Sequence, residues 1–196
     1  MYKTYYISTK IKPMKTQNYL IKCLSLLFSI VLLFSSCNNK RSGDPKVLIF
    51  SKTLGYYHES IPDGIAAIMK LGAENGFDVD TTTNSDLINE ENLKQYSAVI
   101  WLSTTSNVLN HYQEADFERY IQAGGGYVGI HAAADTEYHW GWYNRLVGGY
   151  FSYHPGIGDP YPNVQEGTLH VTDRKHSTTR FLPEIWNRKD EWYHFK

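Results

Sequence analysis

Residues 98–131 read AVIWLSTTSNVLNHYQEADFERYIQAGGGYVGIH, and this stretch decides the fold class. It opens with the apolar run AVIWL, five residues long, β-branched in part and bounded by a Ser/Thr/Asn cluster, which predicts a buried strand. Asn110 can cap a helix running to Ile121, with Phe117, Tyr120 and Ile121 on its inner face. Gly124, Gly125 and Gly126 stop that helix, and YVGIH over 127–131 predicts the next strand. A strand, a helix and a second strand in this order form a crossover unit of a parallel sheet.

The same alternation extends upstream. KVLIFS over 46–51 is a short apolar run and predicts a first buried strand. Ser60 stands as a helix cap before Ile61, Pro62 and Asp63; Ile65, Ile68, Met69 and Leu71 follow at helical spacing, and Gly76 supplies the stop. FDVDTT over 77–82 alternates as a strand does. Such a β-α-β-α-β order predicts a parallel sheet covered on both faces, with ligands at the carboxyl ends of its strands. Beyond His131 the pattern is less regular. It predicts a helix over 138–146, a strand over 168–172 (TLHVT) and a short helical turn over 181–186. An α/β domain ordinarily needs a further strand and helix after DEWYHF, so the C-terminal part of the domain is expected to be missing.

The amino-terminal segment speaks to compartment. Residues 23–36, CLSLLFSIVLLFSS, form an uncharged apolar block, with Lys15 and Lys22 ahead of it and Cys37 behind. Basic, apolar and small-residue regions in that order are the parts of a secretory signal peptide, here 1–36. Phe34-Ser35-Ser36-Cys37 resembles the lipobox of bacterial lipoproteins, which implies lipidation at Cys37 and anchorage at the cell envelope, on the periplasmic face or the outer membrane. Asn38 in place of Asp leans toward the outer membrane. An uncleaved anchor is the competing reading, although the run is shorter than the ~20 residues of a span. Met14 precedes a more ordinary leader than Met1 does. NNKRSGDP then reads as a tether within 37–45, leaving a domain of 46–196.

The chain carries 19 Lys and Arg against 20 Asp and Glu; five of the basic residues precede Cys37, so the remainder holds 14 against 20, a net charge of −6. A nucleic-acid surface needs clustered Lys and Arg to neutralise phosphates, and no such stripe is present. Both cysteines, Cys23 and Cys37, belong to the leader, so the domain has no disulfide, no cysteine metal ligand and no thiol nucleophile.

GGGYVGIHAAADTEYHWGWYNRLVGGYFSYHP over 124–155, together with SKTLGYYHESIPDGI over 51–65, Thr104-Thr105 and DEWYHF over 190–195, resembles the trehalose-utilisation (ThuA-like) family. The resemblance runs from Lys46 to the end. It implies a flavodoxin-like three-layer sandwich related to class I glutamine amidotransferases, and a role in the metabolism of disaccharides and their keto derivatives. In those amidotransferases a cysteine occupies the sharp turn after the strand corresponding to YVGIH. Here the matching position holds His131, flanked by Gly129, Ala132, Ala133 and Ala134, so glutaminase chemistry is excluded.

A histidine at such an elbow can act as a general base or a metal ligand. His154, before Pro155, and His58, in the loop after the first strand, are the other candidates. Three imidazoles from separate strand-end loops suit one divalent ion, with Zn²⁺ the usual choice, although no compact metal motif occurs. Asp135 can orient His131 or cap the following helix. Glu191 can join the site or pair with a surface base. Tyr57, Trp140 and Tyr143 are candidate faces for a sugar ring, with core packing as the competing role. The residues therefore point to a protein that binds or processes a sugar or sugar derivative, with a non-catalytic carbohydrate-binding or scaffold module as the alternative. A chain lacking its last elements could also be inactive.

Overall fold

The computed structural model describes residues 43, 45–156 and 159–196. The expected signal peptide, the expected lipidation site Cys37 and nearly all of the tether lie outside these residues. Among the described residues, no helix is long and apolar enough to cross a membrane.

Strands β1 (Lys46–Phe50), β2 (Asp78–Thr82), β3 (Ala98–Leu102) and β4 (Gly126–Ile130) form one parallel sheet in the order β2-β1-β3-β4. Helix α1 (Ile61–Asn75) crosses from β1 to β2, a short α2 (Glu90–Leu93) precedes β3, and α3 (His111–Gln122) crosses from β3 to β4. The strands' period of two sorts their side chains onto two faces. Leu48, Phe50, Val99 and Trp101 meet Leu93, Phe117 and Tyr120 on one side, while Ile49, Ile100 and Leu102 meet Ile61 and Ile68 on the other. These are the three layers of an α/β sandwich, as the alternation of apolar runs predicts. The order in which strands are added reverses between β1 and β3, where such folds hold their ligands.

Local chemistry sets the helix ends. The Asn110 side chain accepts from the backbone N–H groups of Tyr112 and Gln113, and the Gln113 side chain returns a bond to the Asn110 N–H, a complete capping box. Gly76 closes α1 in the left-handed region at φ 72°. Ser60, expected to cap α1, makes no side-chain cap bond; its own backbone is already helical, at φ −75° and ψ −8°, rather than in the extended region a cap residue adopts.

Three other expectations are corrected. β4 is not covered on both faces: Val128 is exposed at the sheet edge, where its outer side has no strand partner among the described residues. The helix expected over 138–146 begins later, as α4 (Gly141–Val147), because Trp140, at φ −99° and ψ 85°, is not helical and stands as its cap. The segment expected as a helical turn over 181–186 instead leads into strand β7 (Ile185–Glu191), antiparallel to β6 (Val164–His170). Phe181, Leu182, Ile185 and Trp186 have helical spacing, but the alternating burial of β7 decides the segment through its partner strand. The chain then returns: β8 (His194–Phe195) pairs with β5 (Phe151–Tyr153), bringing DEWYHF back to the sheet's carboxyl end.

Candidate functional site

His131 is the first residue after β4. Its backbone sits at φ 52°, a region that non-glycine residues rarely occupy, and it opens a single 3₁₀ turn with Ala132, Ala133 and Ala134. Only small side chains fit beneath this elbow, and all three alanines are buried. Thr136 fixes the far side of the turn, its hydroxyl donating to the Thr104 carbonyl at 2.7 Å. Tyr143 supports it from below by donating to the Ala133 carbonyl at 2.8 Å. The elbow leaves the imidazole partly exposed at the carboxyl end of the sheet.

Four separate segments meet there. His131 Nε2 lies 3.1 Å from Glu191 Oε2 at the end of β7, and 3.0 Å from the Tyr193 hydroxyl. His58, from the loop after β1, packs edge-on against the His131 ring with centroids 4.6 Å apart. Its Nδ1 is buried and has no hydrogen-bond partner. Burial, followed by the charge of His131, lowers the His58 pKa and favours a neutral ring with a free lone pair. His154 Nε2 lies 3.5 Å from the other Glu191 oxygen, and the ring stacks on Tyr193. With His154 Nδ1 2.9 Å from the Pro155 carbonyl, the proton belongs on Nδ1 and the Nε2 lone pair faces the cluster. Burial and the neighbouring Glu191 push the Tyr193 phenol upward, so it is a neutral donor here.

Ligand atoms of His58, His131 and Glu191 all lie within 4.8 Å of one another. Four-coordinate zinc has bonds of about 2.0–2.1 Å, hence ligand–ligand edges near ~3.3 Å. The His131–Glu191 separation already matches such an edge, and His58 needs only a modest approach. An open cleft of about 690 Å³ runs from His131 and Glu191 past Ser60 to Arg188 and Lys189, large enough for a small organic substrate.

The structure thus gathers His58, His131, His154 and Glu191 into one cluster. Asp135 stays beside it: its charge is felt at His58, but its carboxylate accepts from the Tyr138 hydroxyl and not from His131. Tyr57 is exposed on the His58 loop. Trp140 and Tyr143 are not available to a sugar ring. Both are buried in the core, stacked at 5.6 Å, with Trp140 donating to Glu118. Their positions follow from α4 packing against α3 and β3, where large flat side chains fill the space over Trp101. Tyr193, inside the quoted DEWYHF motif, was not singled out by sequence reasoning; its signal was a place two residues after Glu191.

A family model described as trehalose utilisation matches residues 46–196. The crystal structure of a ThuA-like protein from Bacteroides uniformis is similar with a TM-score of 0.64 and 28% identity, over 82% of this chain and 64% of that one. A ThuA-like protein from Parabacteroides merdae shares the fold with a TM-score of 0.57 and 19% identity, over 78% of this chain and 63% of its own. This chain therefore spans less than two thirds of the length of either structure. No curated protein matches it. Chain order, fold and the matched stretch agree: the chain belongs to the ThuA trehalose-utilisation family.

Proposed function

We propose that this protein is a lipid-anchored cell-envelope enzyme that acts on a sugar or keto-sugar of trehalose-type disaccharide metabolism by metal-assisted acid–base chemistry. One observation carries the chemistry: His58, His131 and Glu191 place their ligand atoms within 4.8 Å of one another at the carboxyl end of the sheet. Two imidazoles and a carboxylate are a donor set that would hold a divalent ion such as Zn²⁺. A bound ion would supply Lewis-acid polarisation of a keto or hydroxyl oxygen of the sugar. His154, with Nε2 turned to the cluster, takes the proton from the adjacent carbon, and the Tyr193 hydroxyl donates to the oxygen that gains charge. Tyr57 and Tyr56, exposed on the His58 loop, offer faces for the sugar ring. The envelope location rests on the leader and Cys37, and the sugar rests on family membership.

The test is metal content together with turnover of a keto-disaccharide, for the chain and its His131→Ala variant. A stoichiometric ion and turnover, both lost in the variant, are expected. Sugar binding without turnover in either protein would instead make this a carbohydrate-binding module. Neither metal nor sugar binding would overturn the proposal.

A further inference from the structure

A second cluster of ligand-type side chains lies where the first turn of α3 meets the turn before α4. Glu114, buried at 7% exposure, reaches two histidines at once: Oε2 lies 3.0 Å from His111 Nδ1, and Oε1 lies 3.0 Å from His139 Nε2. Ligand atoms of the three residues fall within 4.8 Å of one another, as in the His131 cluster, with which this group shares no residue. Beside it stands Glu137, fully buried. Its Oε1 accepts from the backbone N–H groups of Val108 and Leu109, but its Oε2 has no hydrogen-bond partner and points at the cluster, 3.9 Å from His139 Nε2.

A buried carboxylate oxygen without a partner carries the full cost of its lost hydration. A second carboxylate, that of Glu114, shares His139 with it and adds charge repulsion. The two histidines offer at most one positive charge each, only when protonated, and His139 is too far from Oε2 for a hydrogen bond. We propose that His111, Glu114 and His139, backed by Glu137, form a second binding site for a divalent transition-metal ion. Two imidazoles and two carboxylates are a donor set suited to Zn²⁺ and its neighbours. A dication neutralises both carboxylates and gives Oε2 the partner it lacks. The N-terminus of α3 opposes a cation with about half a charge, which two carboxylates outweigh. His111 is largely exposed, so an ion can enter from solvent without opening the core.

The experiment titrates metal-stripped chain with Zn²⁺ by calorimetry, in a His58→Ala/His131→Ala background that removes the first cluster. Adding His111→Ala/His139→Ala to that background is expected to remove one further equivalent of Zn²⁺. Because both altered side chains are substantially exposed, the fold is expected to persist, as checked by thermal unfolding in chelator. Glu137→Gln, which keeps the Oε1 acceptor, is expected to weaken that same equivalent at least about tenfold while leaving the metal-free fold intact. An unchanged stoichiometry on removing His111 and His139 overturns the second site. A failure of the proposed function shows separately, as no loss of Zn²⁺ on introducing His58→Ala/His131→Ala into the original chain.

Discussion

Replacing Glu137 tests how the turn before α4 is held, independently of any metal. In chelator, Glu137→Ala deletes the acceptor of two 2.7 Å bonds from the Val108 and Leu109 N–H groups, both on buried residues. Each orphaned buried donor costs about 1–3 kcal/mol, so the gross loss is about 2–6 kcal/mol. Two effects offset part of it: a buried carboxylate with one partnerless oxygen disappears, and so does its repulsion with Glu114. The net destabilisation expected is about 2–4 kcal/mol. For a domain of this size, with about 2–4 °C per kcal/mol, the melting midpoint falls by about 4–16 °C. Glu137→Gln retains one acceptor oxygen and is expected to lose less than about 1 kcal/mol. Glu137→Leu separates packing from hydrogen bonding: it refills the volume but accepts nothing, so it is expected to be no better than Ala. Thermal and urea unfolding of the three variants decide the matter. An alanine variant within about 0.5 kcal/mol of the parent, or a leucine variant that recovers the loss, would refute the reasoning.

Two further outcomes follow from packing and burial. In α1, Gly72→Ala gains about 1 kcal/mol of helix propensity, yet a Cβ there would sit 2.6 Å from the Phe77 carbonyl oxygen, a backbone atom that cannot swing aside. Overpacking at about 1–3 kcal/mol wins, so urea unfolding is expected to show a less stable variant; a more stable one contradicts the close approach. Burial raises the Tyr127 phenol from its ordinary value to about 12. A folded-state value above the unfolded one means its stabilisation is complete below pH ~10 and is lost as pH rises from there toward 12. Across that window Tyr127 alone contributes up to about 1.4 kcal/mol per pH unit to the fall in unfolding free energy, and Tyr127→Phe should make the slope shallower by that amount. An unchanged slope would place the alkaline sensitivity elsewhere.

Much was legible in the sequence because the signals are local. Apolar runs of five residues, a capping Asn110 and a closing Gly76 state their conformations within a few neighbours, and their order fixes the parallel sandwich. The elbow at His131 was legible too, through small residues beside a strand end, and the absence of cysteine in the domain removed thiol chemistry without any structure. His58 and His131 follow β1 and β4 of the parallel sheet, whose carboxyl ends share one edge.

What tertiary structure alone decided was who meets whom. Tyr193 stands 62 residues beyond the His131 it touches, and only the return of the chain through β7 and β8 carries it and Glu191 there. The aromatic residues after the elbow gave no local sign of facing the core, yet Trp140 and Tyr143 do, because α4 packs its flat side chains over Trp101. Likewise Glu114 and Glu137 look like ordinary surface acids in the sequence, and the crossing of α3 with the turn before α4 buries both beside His139. Periodicity reports which face of an element is apolar; contacts between elements far apart in the chain depend on how those faces stack, which no local pattern encodes.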